Sequence, residues 1–192
     1  MPDFGTQRES EFRAVLRERL PEKTFAHVES VTDTIVSFHD KAGISLEQAV
    51  TAGLLHDVCK AVQKDDLREM AVRYGISEYL DVPNLLHGPV GAEFCRTELN
   101  ITDDEVLDAI RYHTTGKVNW NPVGCALYIA DFSEPRRPHP EAATAREMMD
   151  EKGFAETVHY VANTKTDYVR KNHEIDPNSE AFVSWIQTEY PI

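Results

Sequence analysis

Apolar positions along the chain recur mostly at the three-to-four-residue spacing of helices, and β-branched alternation is scarce. Phe12, Val15, Leu16 and Arg19 predict a first amphipathic helix that ends before Pro21. A second is predicted over about 24–41, with Val28, Val31, Ile35 and Phe38 on one face and Gly43 as its stop. Ser45-Leu46-Glu47-Gln48 is an S-x-x-Q capping box, opening a helix that runs through Val50 and Leu54 into His56-Asp57. Residues 66–74 predict another helix, closed by Gly75. Pro83 to Gly88 read as a loop, with Pro89 in the first turn of a helix over 90–99. Thr102-Asp103-Asp104-Glu105 reads as a second capping box, ahead of a helix through Val106, Leu107 and Ile110 to His113. HTTGKVNWNP reads as loop, 123–132 as a helix broken by SEPRRPHPE, and 142–149, 154–172 and 179–190 as further helices. With no internal repeat or long linker, the expectation is an all-α fold in a single domain spanning 1–192.

Composition changes this picture little. The 192 residues are 41% apolar and 28% charged, ordinary for a globular chain and enough to build a core. The longest apolar run, Val123 to Ala130, falls far short of the ~20 residues of a membrane helix. The first twenty residues are charged throughout, which is no secretory signal. Cys59, Cys95 and Cys125 are odd in number and widely spaced, which reads as reduced thiols in a cytoplasm. A net charge of −13 disfavours binding to long nucleic acid, yet leaves room for a small phosphate ligand at a local cluster of cations or metal.

The chemistry lies in where the histidines fall. His27, His56, His87 and His113 each stand near a helix end or in a loop beside one, on segments with a strong apolar face. Asp57 follows His56, and Asp131 ends the apolar run Leu127-Tyr128-Ile129-Ala130. An ionised Asp at the end of a buried helix is costly, and a helix C-terminus repels it further. A divalent cation removes both objections, and imidazole with carboxylate suits Fe, Mn, Zn or Ni. Singly, each residue has a plainer reading: a buried His as a hydrogen-bonded core residue, an Asp as a cap for the next helix. Lys60 could complement a helix C-terminus, Arg136 and Arg137 could form a solvated turn with Glu134 or Glu141, and Thr114 and Thr115 could be ordinary loop residues. His39, His139, His159 and His173 read as surface or packing residues, and Trp120, Trp185, Tyr112 and Tyr128 as packing aromatics, with Trp120 a weaker candidate for a base contact.

The order His27, His56-Asp57, Asp131 resembles that of the HD-domain metal-dependent phosphohydrolases. LLHGPVGA (85–92), AIRYHTTG (109–116) and YIADFSEPRR (128–137) resemble the YqeK-type branch, the bacterial symmetrical dinucleoside tetraphosphatases. The likeness covers roughly 24–137, the expected metal-site core, with helices over 141–192 packed on it. It implies two divalent ions, most simply iron with manganese as the substitute. His27, His56, Asp57 and Asp131 would hold one, and Asp57 would bridge to a second held by His87 and His113. Asp57 and Lys60 would be catalytic, and Lys60, Thr114, Thr115, Lys117, Arg136 and Arg137 would meet substrate phosphates. The implied reaction is hydrolysis of diadenosine tetraphosphate to two ADP by hydroxide on the metal pair. The rival readings are another HD-type nucleotidase or dNTP triphosphohydrolase, and a nucleotide sensor without chemistry. Late apolar residues (Phe154, Val158, Val161, Val169) could serve a homodimer face or the core. Val58-Cys59, GKVNWNP and Ile175-Asp176-Pro177 depart from the family pattern, away from the expected ligands.

Overall fold

A computed structural model describes residues 4–189. Its elements among these residues are all helices: α1 (Phe4–Arg19), α2 (Glu22–Ala42), α3 (Leu46–Leu55), α4 (Lys64–Arg73), α5 (Pro83–Glu98), α6 (Asp104–Tyr112), α7 (Pro122–Ser133), α8 (Pro140–Glu151), α9 (Phe154–Asn172) and α10 (Pro177–Glu189). The expected all-α class holds, and one cluster of buried apolar side chains extends from Phe12 to Ile186. No described helix is long and apolar enough to cross a membrane.

Helix α7 is the axis of the arrangement. It packs against α2, α3, α6, α8 and α9, and every residue from Val123 to Ala130 is buried. A helix surrounded on all sides needs apolar residues all round, which accounts for the longest apolar run in the chain. Asn121 caps its start by accepting from Gly124 N–H at 2.9 Å, with Pro122 in the first turn. Its C-terminal end delivers Asp131 to the interior edge of the bundle. Trp120, Tyr128 and Phe182 form an edge-to-face triangle with centroids 5.2–5.9 Å apart, tying α10 to α7. Trp120 is therefore a packing residue.

Local signals set most helix ends. Gly43 stops α2 at φ +69°, in the left-handed region that a side chain disfavours. Ser45 and Gln48 make both bonds of the capping box on α3. Two expectations shift. Asp103, not Thr102, caps α6, accepting from Glu105 and Val106 N–H, because the helix starts one residue later. The chain from Pro83 is helical rather than loop: Pro83 takes the first position of α5, and Pro89 is accommodated inside it at the loss of one backbone bond. His87 consequently projects from a helix.

Helices α2 and α3 cross closely at Gly53, where a Cβ would lie 2.8 Å from Thr32 Cα. That contact is backbone and cannot swing aside. Gly53→Ala is expected to destabilise the protein by about 1–3 kcal/mol through overpacking, read from urea or thermal unfolding; unchanged stability would mean the helices have room to separate.

Candidate metal centre

Two of the implicated histidines reach the interior by the same local device. His56 and His113 are the C-cap residues of α3 and α6. Each donates its Nδ1–H to the carbonyl three residues earlier, His56 to Gly53 O and His113 to Ile110 O, both at 2.7 Å. The bond occupies a carbonyl that the helix end leaves free and fixes the tautomer, so Nε2 presents a lone pair inward. The bond alone does not make a site: His39 makes it to Val36 O on α2, away from the cluster. After His56 the chain continues in tight turns, with Lys60 N–H on Asp57 O at 2.9 Å, which turns Asp57 and Lys60 toward the same space.

His27 is held differently. Its Nδ1 lies 3.0 Å from Glu134 Oε1, and its Nε2 lies 3.2 Å from Asp131 Oδ1. Glu134 is buried and also accepts from the Ser30 hydroxyl at 2.7 Å and the Arg136 backbone N–H at 2.6 Å. Burial pushes the Glu134 carboxyl up, but these donors outweigh it and hold it below its usual range. Glu134 thus orients His27, a role that its place in the string 128–137 did not reveal, because its partners lie about a hundred residues away in sequence.

These segments converge on Asp57, which is 5% exposed. His27, His56 and Asp57 form one group whose ligand atoms lie within 4.8 Å of one another, and Asp57, His87 and His113 form a second. Asp57 belongs to both. Its Oδ1 lies 3.1 Å from His87 Nε2 and 3.4 Å from His113 Nε2. Asp131 stands one step out, joined to the first group through His27.

The electrostatics call for a cation. His56 Nε2, Asp57 Oδ1 and His87 Nδ1 are buried without a hydrogen-bond partner. His87 Nε2 and His113 Nε2 face each other at 3.0 Å, which two lone pairs do not tolerate without a proton or metal between them. Burial lowers His56 from 6.5 to about 4 despite Asp57 beside it. Burial likewise lowers His113, against the raising influence of the Asp57 carboxylate. Asp57 and Asp131 are pushed up by burial but held well below the carboxylate range, Asp57 first by His56 and Asp131 first by His27. Neutral imidazoles around ionised carboxylates are a suitable donor set for a divalent ion. No thiolate competes, since burial pushes Cys59 up to about 11.

The other expected residues divide. A cleft of about 340 Å³ opens on the cluster and is lined by Lys23, Thr24, His27, Asp57, Lys60, His113, Thr114, Asp131 and Arg137. Lys60 reaches 3.2 Å from His87 Nε2 and 3.8 Å from Asp57 Oδ1. Arg137 donates its Nε–H to Asp131 O at 2.8 Å and pairs with the Asp131 carboxylate. Thr115 is buried, and its hydroxyl donates to Gly116 O at 3.0 Å. Three of the expected residues stand outside the lining of the cleft: Thr115, Lys117, which pairs with Asp108 at 2.9 Å, and Arg136, which is exposed. Lys23 and Thr24, unsuspected in the sequence, do line it.

The sign of the pH dependence follows from His56. In chelated protein, unfolded His56 takes up a proton below about pH 6.5, whereas the folded ring resists until about pH 4. Its contribution is full above the higher value and is lost as pH falls, by up to about 1.4 kcal/mol per unit. His113 acts in the same direction. His27 acts oppositely: burial would lower it, but Asp131 and Glu134 raise it, so its share is lost as pH rises. Urea unfolding of chelated protein is expected to show lower stability near pH 5 than near pH 7. Equal or greater stability near pH 5 would mean that the folded protein binds at least as many protons as the unfolded chain, which contradicts the balance set by His56 and His113.

The HD domain family matches residues 24–152. The chain is 27% identical to the symmetrical bis(5'-nucleosyl)-tetraphosphatase of Bacillus subtilis, over 90% of this chain and 94% of that one. It is 33% identical to the Staphylococcus aureus protein of the same name, over 80% of each. Among solved structures it resembles a predicted HD superfamily hydrolase involved in NAD metabolism from Clostridium acetobutylicum, with a TM-score of 0.86, 27% identity and coverage of 93% of this chain and 96% of that one. Matched by family, fold and a histidine–aspartate cluster suited to divalent metal, the chain belongs to the HD-domain family, in the branch that holds the symmetrical bis(5'-nucleosyl)-tetraphosphatases.

Proposed function

We propose that this protein hydrolyses dinucleoside tetraphosphates, diadenosine tetraphosphate foremost, symmetrically to two nucleoside diphosphates. The observation that carries the reading is the membership of Asp57 in both ligand groups. One carboxylate shared by two sets of imidazoles is the arrangement that a pair of divalent ions needs. His27, His56, Asp57 and Asp131 would hold the first ion, and Asp57, His87 and His113 the second. Iron is the proposed metal, with manganese as the substitute, in a cytoplasmic protein. The relatives named symmetrical tetraphosphatases support the substrate class. When bound, the metals supply a water made acidic enough to attack near neutral pH and a Lewis-acid clamp on phosphoryl oxygen.

The chain's own groups do the rest. Lys60, its side chain 41% exposed, extends its ammonium into the cleft and meets charge that develops on the phosphoryl oxygens. Lys23 and Arg137 give this part of an acidic protein the positive charge that a polyphosphate requires. Thr114 faces the same cleft and offers a hydroxyl to a phosphate oxygen. Arg137 already holds Asp131, so it positions that carboxylate while its remaining N–H groups face substrate. Glu134 keeps His27 turned inward with the tautomer that ligation needs.

Three experiments test this. Incubation with diadenosine tetraphosphate and Mn or Fe(II) is expected to give ADP alone; AMP with ATP would mean asymmetric cleavage, and no turnover would favour a sensor. Asp57→Ala is expected to abolish metal binding and turnover while circular dichroism stays helical. Glu134→Ala is expected to weaken Mn(II) binding about 10- to 100-fold in a titration of stripped protein. Unchanged affinity there would remove Glu134 from the support of the site.

A further inference from the structure

The cleft over Asp57, at about 340 Å³, sits near the lower end of the ~300–1,000 Å³ range of ligand pockets. A dinucleoside tetraphosphate carries two nucleosides, so the cleft alone holds only part of it. A larger cavity of about 740 Å³ lies beside it, between the end of α7, the start of α8 and α9. The two share Asp131 and Arg137 as a common wall. A ligand leaving the metal cleft over this wall enters the larger cavity directly.

The α9 side of the cavity is ordered in chemistry. Thr164, Tyr168 and Lys171 follow the four- and three-residue steps of one helix face, with Lys165 beside them. Lys165 to Lys171 covers about 9 Å of helix axis. Lys165 lies near enough to Asp131 to feel its charge, with its Nζ 3.6 Å from the centre of the Tyr128 ring. Among the described residues it makes no salt bridge; the contacts of His27 and Arg137 with the Asp131 carboxylate both fall on Oδ1. A half-buried ammonium without a carboxylate partner, facing a cavity next to a phosphate-processing centre, is suited to an anionic ligand. One helical turn further along stands Tyr168, 64% exposed, its ring tilted against His173 at 6.4 Å and otherwise open to a planar group. Across the cavity Phe132 and His139 pack against each other at 4.8 Å.

We propose that the cavity between α7, α8 and α9 seats one nucleoside diphosphate half of the substrate, with Lys165 on the phosphates beside Asp131 and Tyr168 against the base. This rests on the symmetric tetraphosphatase reading and deepens it, because a cut in the middle requires one diphosphate unit on each side of the metal centre. The cavity would thereby fix where along the phosphate chain the reaction falls.

ADP, titrated calorimetrically into metal-loaded protein, is the probe. Lys165→Met and Tyr168→Ala are each expected to weaken ADP binding about tenfold, while metal content stays at the wild-type level and Lys165→Arg recovers most of the loss. In turnover, KM for diadenosine tetraphosphate should rise by more than kcat falls. Tyr168 and Lys171 are exposed, so Tyr168→Ala and Lys171→Glu carry the test if Lys165→Met does not fold. ADP affinity indifferent to the Tyr168 and Lys171 changes would overturn the proposal, as would inorganic pyrophosphate competing as strongly as ADP itself. The two readings fail separately. A wild-type protein that binds ADP through Lys165 but leaves diadenosine tetraphosphate intact contradicts the reaction and keeps the cavity; one that cleaves it with ADP binding insensitive to these residues retires the cavity alone.

Discussion

The whole site depends on one electrostatic constraint: ionised Asp57 is buried among imidazoles whose inward nitrogens are acceptors. His56 and His113 have their Nδ1 protons engaged on backbone carbonyls, so their Nε2 atoms bring lone pairs, not protons, to the carboxylate. Carboxylate and lone pairs repel unless positive charge lies between them, and a buried polar atom without a partner costs roughly 1–3 kcal/mol. Lys60 supplies part of that charge from the cleft side, at 3.8 Å from Asp57. It does not reach His56 Nε2, which keeps no partner at all. Divalent metal bound in this cluster would supply the missing positive charge.

The fold serves this constraint by ending helices around a common point. Helices α3 and α6 stop where His56 and His113 cap them, α7 arrives with Asp131, and α2 and α5 contribute His27 and His87 from their sides. Because α7 is packed on all sides, its end cannot move without disturbing the core, and Asp131 is correspondingly fixed. Against a net charge of −13 over the whole chain, Lys23, Lys60 and Arg137 line the cleft with the opposite charge.

Residues that act through local chemistry were legible in the sequence. The Ser45 capping box, the Gly43 stop and the all-round apolar α7 are each stated by neighbours within a few positions. The six expected ligands were legible as residue types and as an order along the chain; His27 and His87 lie within α2 and α5 rather than at helix ends, and the structure brings all six together. What escaped depends on distance in space. Glu134 meets His27 across more than a hundred residues, Lys117 finds Asp108 rather than the cleft, and Lys165 takes its meaning from Tyr128 and Asp131 on another helix. Pro89 misled because proline in a first turn and proline inside a helix look alike until the start of α5 is fixed by Pro83.

Diffraction from crystals grown with Mn(II), recorded for the anomalous signal of manganese, tests the central claim most directly. Two peaks are expected, one on each side of Asp57: the first against His27 and His56, the second against His87 and His113. A map without peaks at these four imidazoles, in crystals that carry manganese elsewhere, would contradict the account.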